Sequence, residues 1–264
     1  MKIQTLKGSV KRAILSLTVA LVTLCGLVSK SNAQAVKNIA LVHGAFADGS
    51  GWKAVYSILS KKGYNVTVVE IPLTSLEDDV AATRTAIKKL GGPCILVGHS
   101  WGGTVITEEG TDPKVAALVY VSAFQPDKGE STLQVLQSAP PAPENGVLPP
   151  DGEGIVYYDK AKYHAGFCAD LSKEQADFMY ASQGAFHAKG FVTPISDPAW
   201  RHKPSYACLA TEDKSLNPVI QHSMYKRSNT KVTEIKGSHV IYISQPEAVA
   251  KVIIQAANDV STKN

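Results

Sequence analysis

Six short, β-branched apolar runs separated by helical patterns constrain this chain more than any other feature. "NIALVH" (38–43), "NVTVVE" (65–70), "CILVG" (94–98) and "VAALVYVS" (115–122) alternate with helical segments near 51–62, 77–90 and 101–110. Continuous apolar runs of this length read as strands covered on both faces, which is the signature of a parallel sheet. The segment 77–90 is well punctuated. Ser75 can cap it, Glu77, Asp78 and Asp79 fill its first turn, Lys88 and Lys89 its last, and Gly91 ends it. The rhythm stops near Phe124 and resumes with "SYACLAT" (205–211), a helix over 217–227, "KVTEI" (231–235) and a final helix over 246–258 opened by Pro246. Such alternation predicts an α/β fold: a doubly wound, mostly parallel sheet with right-handed crossovers.

The interval from about 125 to 200 does not keep that rhythm. It carries a proline cluster at 140–150, the aromatics Tyr157, Tyr158, Tyr163, Phe167, Phe178 and Phe186, and the amphipathic stretch "LSKEQADFMYASQ". It is expected to be an inserted cap over one end of the sheet, so that residues 34–264 form a single domain. Most of its aromatics are expected to be core.

The first 33 residues read differently. Lys2, Lys7, Lys11 and Arg12 precede the apolar run "AILSLTVALVTLCGLV", and "SNA" ends at Ala33 as a small-x-small site. That order predicts a signal peptide cleaved after Ala33 and a secreted or periplasmic protein. The apolar run is too short and too interrupted for a stable membrane anchor. The segment also distorts the charge. Of 27 Lys and Arg it holds five and no acid, so 22 basic residues face 23 acidic ones afterwards and the formal net charge falls from +4 to −1. No basic surface is left to attract nucleic acid. Cys94, Cys168 and Cys208 remain, an odd number that allows at most one internal disulfide, and no CxxC or HExxH suggests a metal.

The chemistry concentrates at "VGHSWGG". Gly98-His99-Ser100-Trp101-Gly102 is G-x-S-x-G between a predicted strand and a predicted helix, the context in which a serine is presented on a sharp, strained turn. Flanking glycines leave room for that turn, and the helix start behind it favours negative charge. A serine hydroxyl needs a base. Of seven histidines, His239 in "KGSHVIY" follows the last predicted strand at the same sheet edge. His43 and His99 adjoin glycines in predicted turns and are expected to shape loops. His164, His187, His202 and His222 are expected to be solvated or packed. The acid should follow a strand between serine and histidine. "ATEDKSLNP" offers Asp213, preferred to its neighbour Glu212, with Asp127 as a further alternative. An oxyanion hole requires two converging N–H groups. Trp101 supplies one, and the loop "HGAFADGSGW" the other, at Ala45 with Phe46 beside it.

Together "HGAFADGSGW", "GHSWGG", "ATEDKSLNP" and "GSHVIYISQPEAVA" resemble the α/β-hydrolase family, in particular the small-cap branch of methylesterases, hydroxynitrile lyases and bacterial esterases. The resemblance spans about residues 36–260, only loosely over the cap. The chain departs from the fuller fold by opening at the strand that carries His43-Gly44. The resemblance implies that Ser100 attacks an ester carbonyl, His239 moves the proton, Asp213 orients His239, and the Ala45 and Trp101 amides hold the oxyanion. It implies no cofactor and a small-molecule ester as the partner. A lyase on the same triad and a non-catalytic ligand-binding protein are the alternative readings.

Overall fold

The computed structural model describes residues 35–261. Asn38–Val42 (β1) leads through a 3-10 turn, Gly49–Trp52, into Lys53–Lys61 (α1) and Asn65–Val69 (β2). Leu76–Lys89 (α2), Cys94–His99 (β3), Trp101–Glu109 (α3) and Val115–Val121 (β4) follow. The next interval holds Thr132–Leu136 (α4), Ile155–Val156 (β5), Lys160–Phe167 (α5), Lys173–Ser182 (α6), Phe186–His187 (β6) and Lys189–Val192 (α7). Ser205–Ala210 (β7), Pro218–Arg227 (α8), Lys231–Ile235 (β8), Ile241–Ser244 (α9) and Pro246–Ser261 (α10) complete the order. The predicted signal segment lies outside the described residues.

Six strands form one wholly parallel sheet in the order β2-β1-β3-β4-β7-β8. The four inner strands are nearly all buried, as their apolar runs require. β2 differs from the expectation of cover on both faces. β2 is only partly buried and the first four residues of β8 are exposed, because each pairs on one side only. The chain moves outward from β1 to β2 and then returns to β3 on the other side of β1. Strand order therefore reverses between β1 and β3, and a crevice opens at their carboxyl ends, where open α/β sheets bind ligands.

Local chemistry places the helices. At α2 the Ser75 hydroxyl accepts from the Asp78 amide at 3.1 Å, and Gly91, with φ of 73°, turns the chain out of the last turn. α10 turns a stripe of Val249, Val252, Ile253, Ala256 and Val260 onto the core. Cys94, Cys168 and Cys208 are buried free thiols. No helix among the described residues is long and apolar enough to cross a membrane.

Between β4 and β7 the chain adds no strand to the large sheet; β5 and β6 pair with each other. Its aromatics divide. Tyr158, Tyr163, Phe167 and Phe186 are buried, whereas Tyr157 and Phe178 are exposed. The buried group packs edge-on against Phe46 of the loop after β1, with ring centroids 5.5 Å from Tyr158 and 6.4 Å from Phe167. The Tyr163 hydroxyl donates to the Phe46 carbonyl at 2.7 Å. The inserted segment is thus tied to the loop that flanks Ser100.

Candidate active site

Ser100 joins β3 to α3 with φ of 51° and ψ of −119°. A non-glycine residue in that region is strained and persists only where its surroundings hold it. Here its amide donates to the Val121 carbonyl at 3.2 Å, while its own carbonyl accepts from Gly103 at 2.9 Å and Phe124 at 3.2 Å. The glycines on either side are a matter of space. A Cβ on Gly98 would stand 2.4 Å from the Gly102 carbonyl oxygen, and one on Gly102 would stand 2.7 Å from that of His43. Both obstacles are backbone and cannot swing away. Gly98→Ala and Gly102→Ala should therefore each cost about 3 kcal/mol or more, as overpacking against backbone does. Gly152→Ala, whose Cβ meets nothing within 4 Å, should melt near the unmodified protein. Thermal melts of the three variants check this.

The sheet register brings the other groups to the same edge. Val42 of β1 pairs with Gly98 of β3, so the loop that starts at His43 runs beside Ser100. β7 and β8 pair up to Ala210 and Ile235, and the loops beyond them carry Asp213 and His239. The His239 Nδ1 lies 2.7 Å from Asp213 Oδ2, with both side chains buried. Asp213 Oδ1 accepts from the Ser215 and Leu216 amides, each at 2.8 Å, and Oδ2 also accepts from Gln221 Nε2 at 3.0 Å. A carboxylate so supplied is acceptor-only, so His239 Nδ1 carries the proton and Nε2 is left with its lone pair.

Ser100, His239, Ala45 and Trp101 line one pocket. Phe46, Phe124, Leu136, Val147 and Phe191 supply its apolar wall. Its volume is about 20 Å³, close to that of one water. Trp101 is the first residue of α3, where an amide has no acceptor within the helix. The aromatics that line this pocket, Phe46, Phe124 and Phe191, are not those that the composition of the interval singled out. Phe46 and Phe124 sit beside small residues in loops and Phe191 in the one-turn helix α7, and no periodic pattern marks them.

The alternatives for the acid are elsewhere. Glu212 is half exposed, with a carboxylate oxygen 3.6 Å from Lys236 Nζ. Asp127 is held by Arg201, whose Nη2 donates to both carboxylate oxygens at 2.7 Å.

His43 and His99 do more than shape turns. His99 is the last residue of β3, not a turn residue, and is buried. Its Nε2 donates to the His239 carbonyl at 3.1 Å, and its ring lies 4.8 Å from that of His239. Burial, with the neighbouring His239, pushes its basicity well down, so it stays neutral beside His239. His43 Nε2 accepts from the Ile71 amide at 3.1 Å, leaving Nδ1 to donate to the Gly44 carbonyl at 2.9 Å. Asp170 was not singled out by sequence, yet it binds the histidine loop through the Ser238 amide at 2.9 Å and the Ser244 hydroxyl at 2.7 Å. Among the described residues, no three His, Cys, Asp or Glu side chains converge as metal ligands.

Residues 39–252 match the alpha/beta hydrolase family. The chain belongs to that family. This hydrolase is 26% identical over 243 residues to the alpha/beta hydrolase nvfD of Aspergillus novofumigatus, covering 84% of this chain and 96% of the relative. It is 25% identical over 258 residues to a pyrethroid hydrolase of Sphingobium wenxiniae, covering 84% and 88%. A crystal structure of a pyrethroid hydrolase from Sphingobium faniae JZ-2 superposes with a TM-score of 0.73 at 23% identity, covering 84% and 98%. Membership of the alpha/beta hydrolase family marks the chain as a hydrolytic enzyme.

Proposed function

We propose that this hydrolase cleaves carboxylic esters of small, apolar substrates through Ser100, His239 and Asp213. The observation that carries the reading is the buried 2.7 Å Asp213–His239 contact at the edge where the strained Ser100 is presented, with His239 and Ser100 in one pocket. Ser100 Oγ attacks the ester carbonyl carbon while His239 Nε2 takes its proton. Asp213 stabilises the imidazolium that results. The Ala45 and Trp101 amides receive the oxyanion, aided by the α3 N-terminus. The tetrahedral adduct collapses, His239 returns the proton to the departing alcohol, and an acyl-enzyme remains. A water deprotonated by His239 then releases the acid and restores Ser100.

The apolar wall of the pocket supports an apolar acyl or alcohol group, in keeping with the pyrethroid hydrolases among its relatives. Because the pocket holds about one water, it must widen for an ester to enter. A fluorophosphonate should label Ser100 stoichiometrically and abolish turnover of p-nitrophenyl acetate in proportion. Turnover that survives full labelling would remove the reading. A panel of esters, lactones, amides and cyanohydrins separates ester hydrolysis from lyase chemistry.

We further propose export, with cleavage after Ala33, on the order of basic, apolar and small-residue segments. Mass spectrometry of the protein from its native host should find Gln34 at the N-terminus; a retained 1–33 segment would contradict this.

A further inference from the structure

Asp79 is fully buried, and the proposed chemistry does not use it. In the sequence it is one of three acids in the first turn of α2, but Glu77 and Asp78 face solvent and Asp79 faces inward. Its Oδ1 accepts from the Leu73 amide and its Oδ2 from the Trp101 indole Nε1, each at 2.7 Å. Leu73 stands at φ of 62°, a conformation a branched residue holds only under restraint. Among the described residues no lysine or arginine bonds the carboxylate, and both donors are neutral. Burying a carboxylate without a cation is costly. In return it gives two short, charge-assisted bonds to groups that need an acceptor-only partner.

One of those groups belongs to the residue directly after Ser100. The Trp101 indole also packs edge-on against Phe186 and Phe191, at centroid distances of 5.2 and 6.2 Å. The indole is thus clamped between α2 and the inserted segment, and its backbone forms the first turn of α3.

We propose that Asp79 is a positioning residue for hydrolysis: by holding the Trp101 indole it keeps the Trp101 amide aimed where the oxyanion forms. The proposal rests on the reading of Ser100 and the Trp101 amide given above. Loss of an oxyanion donor costs about 10²–10³ in kcat, so loosening one should cost about 10- to 100-fold.

The carboxyl also titrates in an accessible range. Burial lifts it to about 6, against the opposing pull of the Trp101 and Leu73 hydrogen bonds, His43 from the β1 loop, and with Asp78 of its own helix raising it slightly. Above that pH it is ionised and accepts both donors. Below it, one oxygen carries a proton and one anchor weakens.

Wild type, Asp79→Asn, Trp101→Phe and the double variant test this, each first checked for a cooperative melt. Each single variant should lose about 10- to 100-fold in kcat for p-nitrophenyl acetate with KM little changed. The double variant should be no worse than the weaker single, because both remove one interaction. Trp101 emission, taken as wild type minus Trp101→Phe, should shift near pH 6, and the shift should vanish in Asp79→Asn. Multiplying losses, an unchanged kcat, or a loss confined to KM would overturn the proposal. If Asp79→Asn does not fold, Trp101→Phe decides, since an unchanged kcat there overturns it equally. Ser100→Ala separates the two levels: if it keeps turnover, the underlying reading has failed; if it is dead while Asp79→Asn is normal, the positioning role alone has failed.

Discussion

Ser100→Ala will lower ester turnover by several orders of magnitude and leave the melting temperature close to that of the unmodified protein. The elbow is held through the backbone of Ser100, by its amide on Val121 and its carbonyl on Gly103 and Phe124. Alanine keeps all of these bonds. It accepts the strained φ no less readily than serine does, so the change removes the Oγ and little else. On the proposed mechanism, no acyl-enzyme can form without the Oγ, and only the oxyanion donors and substrate binding remain. In a well-studied serine protease, loss of the nucleophile costs about 2 × 10⁶ in kcat. Steady-state kinetics and a thermal melt on the same preparation decide the matter. A variant with more than a tenth of the original turnover would show that Ser100 is not the nucleophile.

Where burial on both faces dictates residue type, the fold was legible. The apolar runs of β1, β3, β4 and β7 admit no other element, and their ends fall within a residue or two of the expected limits. The elbow was legible for a related reason: glycines at 98 and 102 mark two backbone approaches closer than 3 Å, and such approaches leave a sequence trace. The inserted segment was legible only as an interruption. Its short helices and two-residue strands take their positions from long-range aromatic packing, which has no period along the chain. Asp79 shows the limit most clearly. Three acids in a first turn satisfy the helix dipole equally well, and only the third meets the Leu73 amide and the Trp101 indole inside. His99 is similar, since its contact with the His239 carbonyl joins residues 140 apart.

Asp213→Asn should be the most damaging change among the acids. The carboxylate has four donors: the Ser215 and Leu216 amides on Oδ1, and Gln221 Nε2 and His239 Nδ1 on Oδ2. An asparagine must keep its oxygen toward the two backbone amides, which turns its NH₂ toward His239. Two donors cannot face each other, so His239 Nδ1 must give up its proton and accept instead. The proton moves to Nε2, the atom that takes the Ser100 proton in the proposed mechanism, and the proposed base is disabled without leaving its place. The equivalent change in a serine protease costs about 10⁴ in turnover for this reason. The buried Gln221 NH₂ loses one of its two acceptors and keeps the Leu216 carbonyl at 2.9 Å, so stability should fall by about 1 kcal/mol, and turnover must be measured below the melt. Glu212→Gln changes only a half-exposed side chain 3.6 Å from Lys236, and Asp127→Asn weakens a surface pair with Arg201. Both should keep most of the activity. Kinetics of the three variants on one ester make the comparison. If Asp213→Asn runs near the original rate while Glu212→Gln or Asp127→Asn is crippled, the acid has been assigned to the wrong residue.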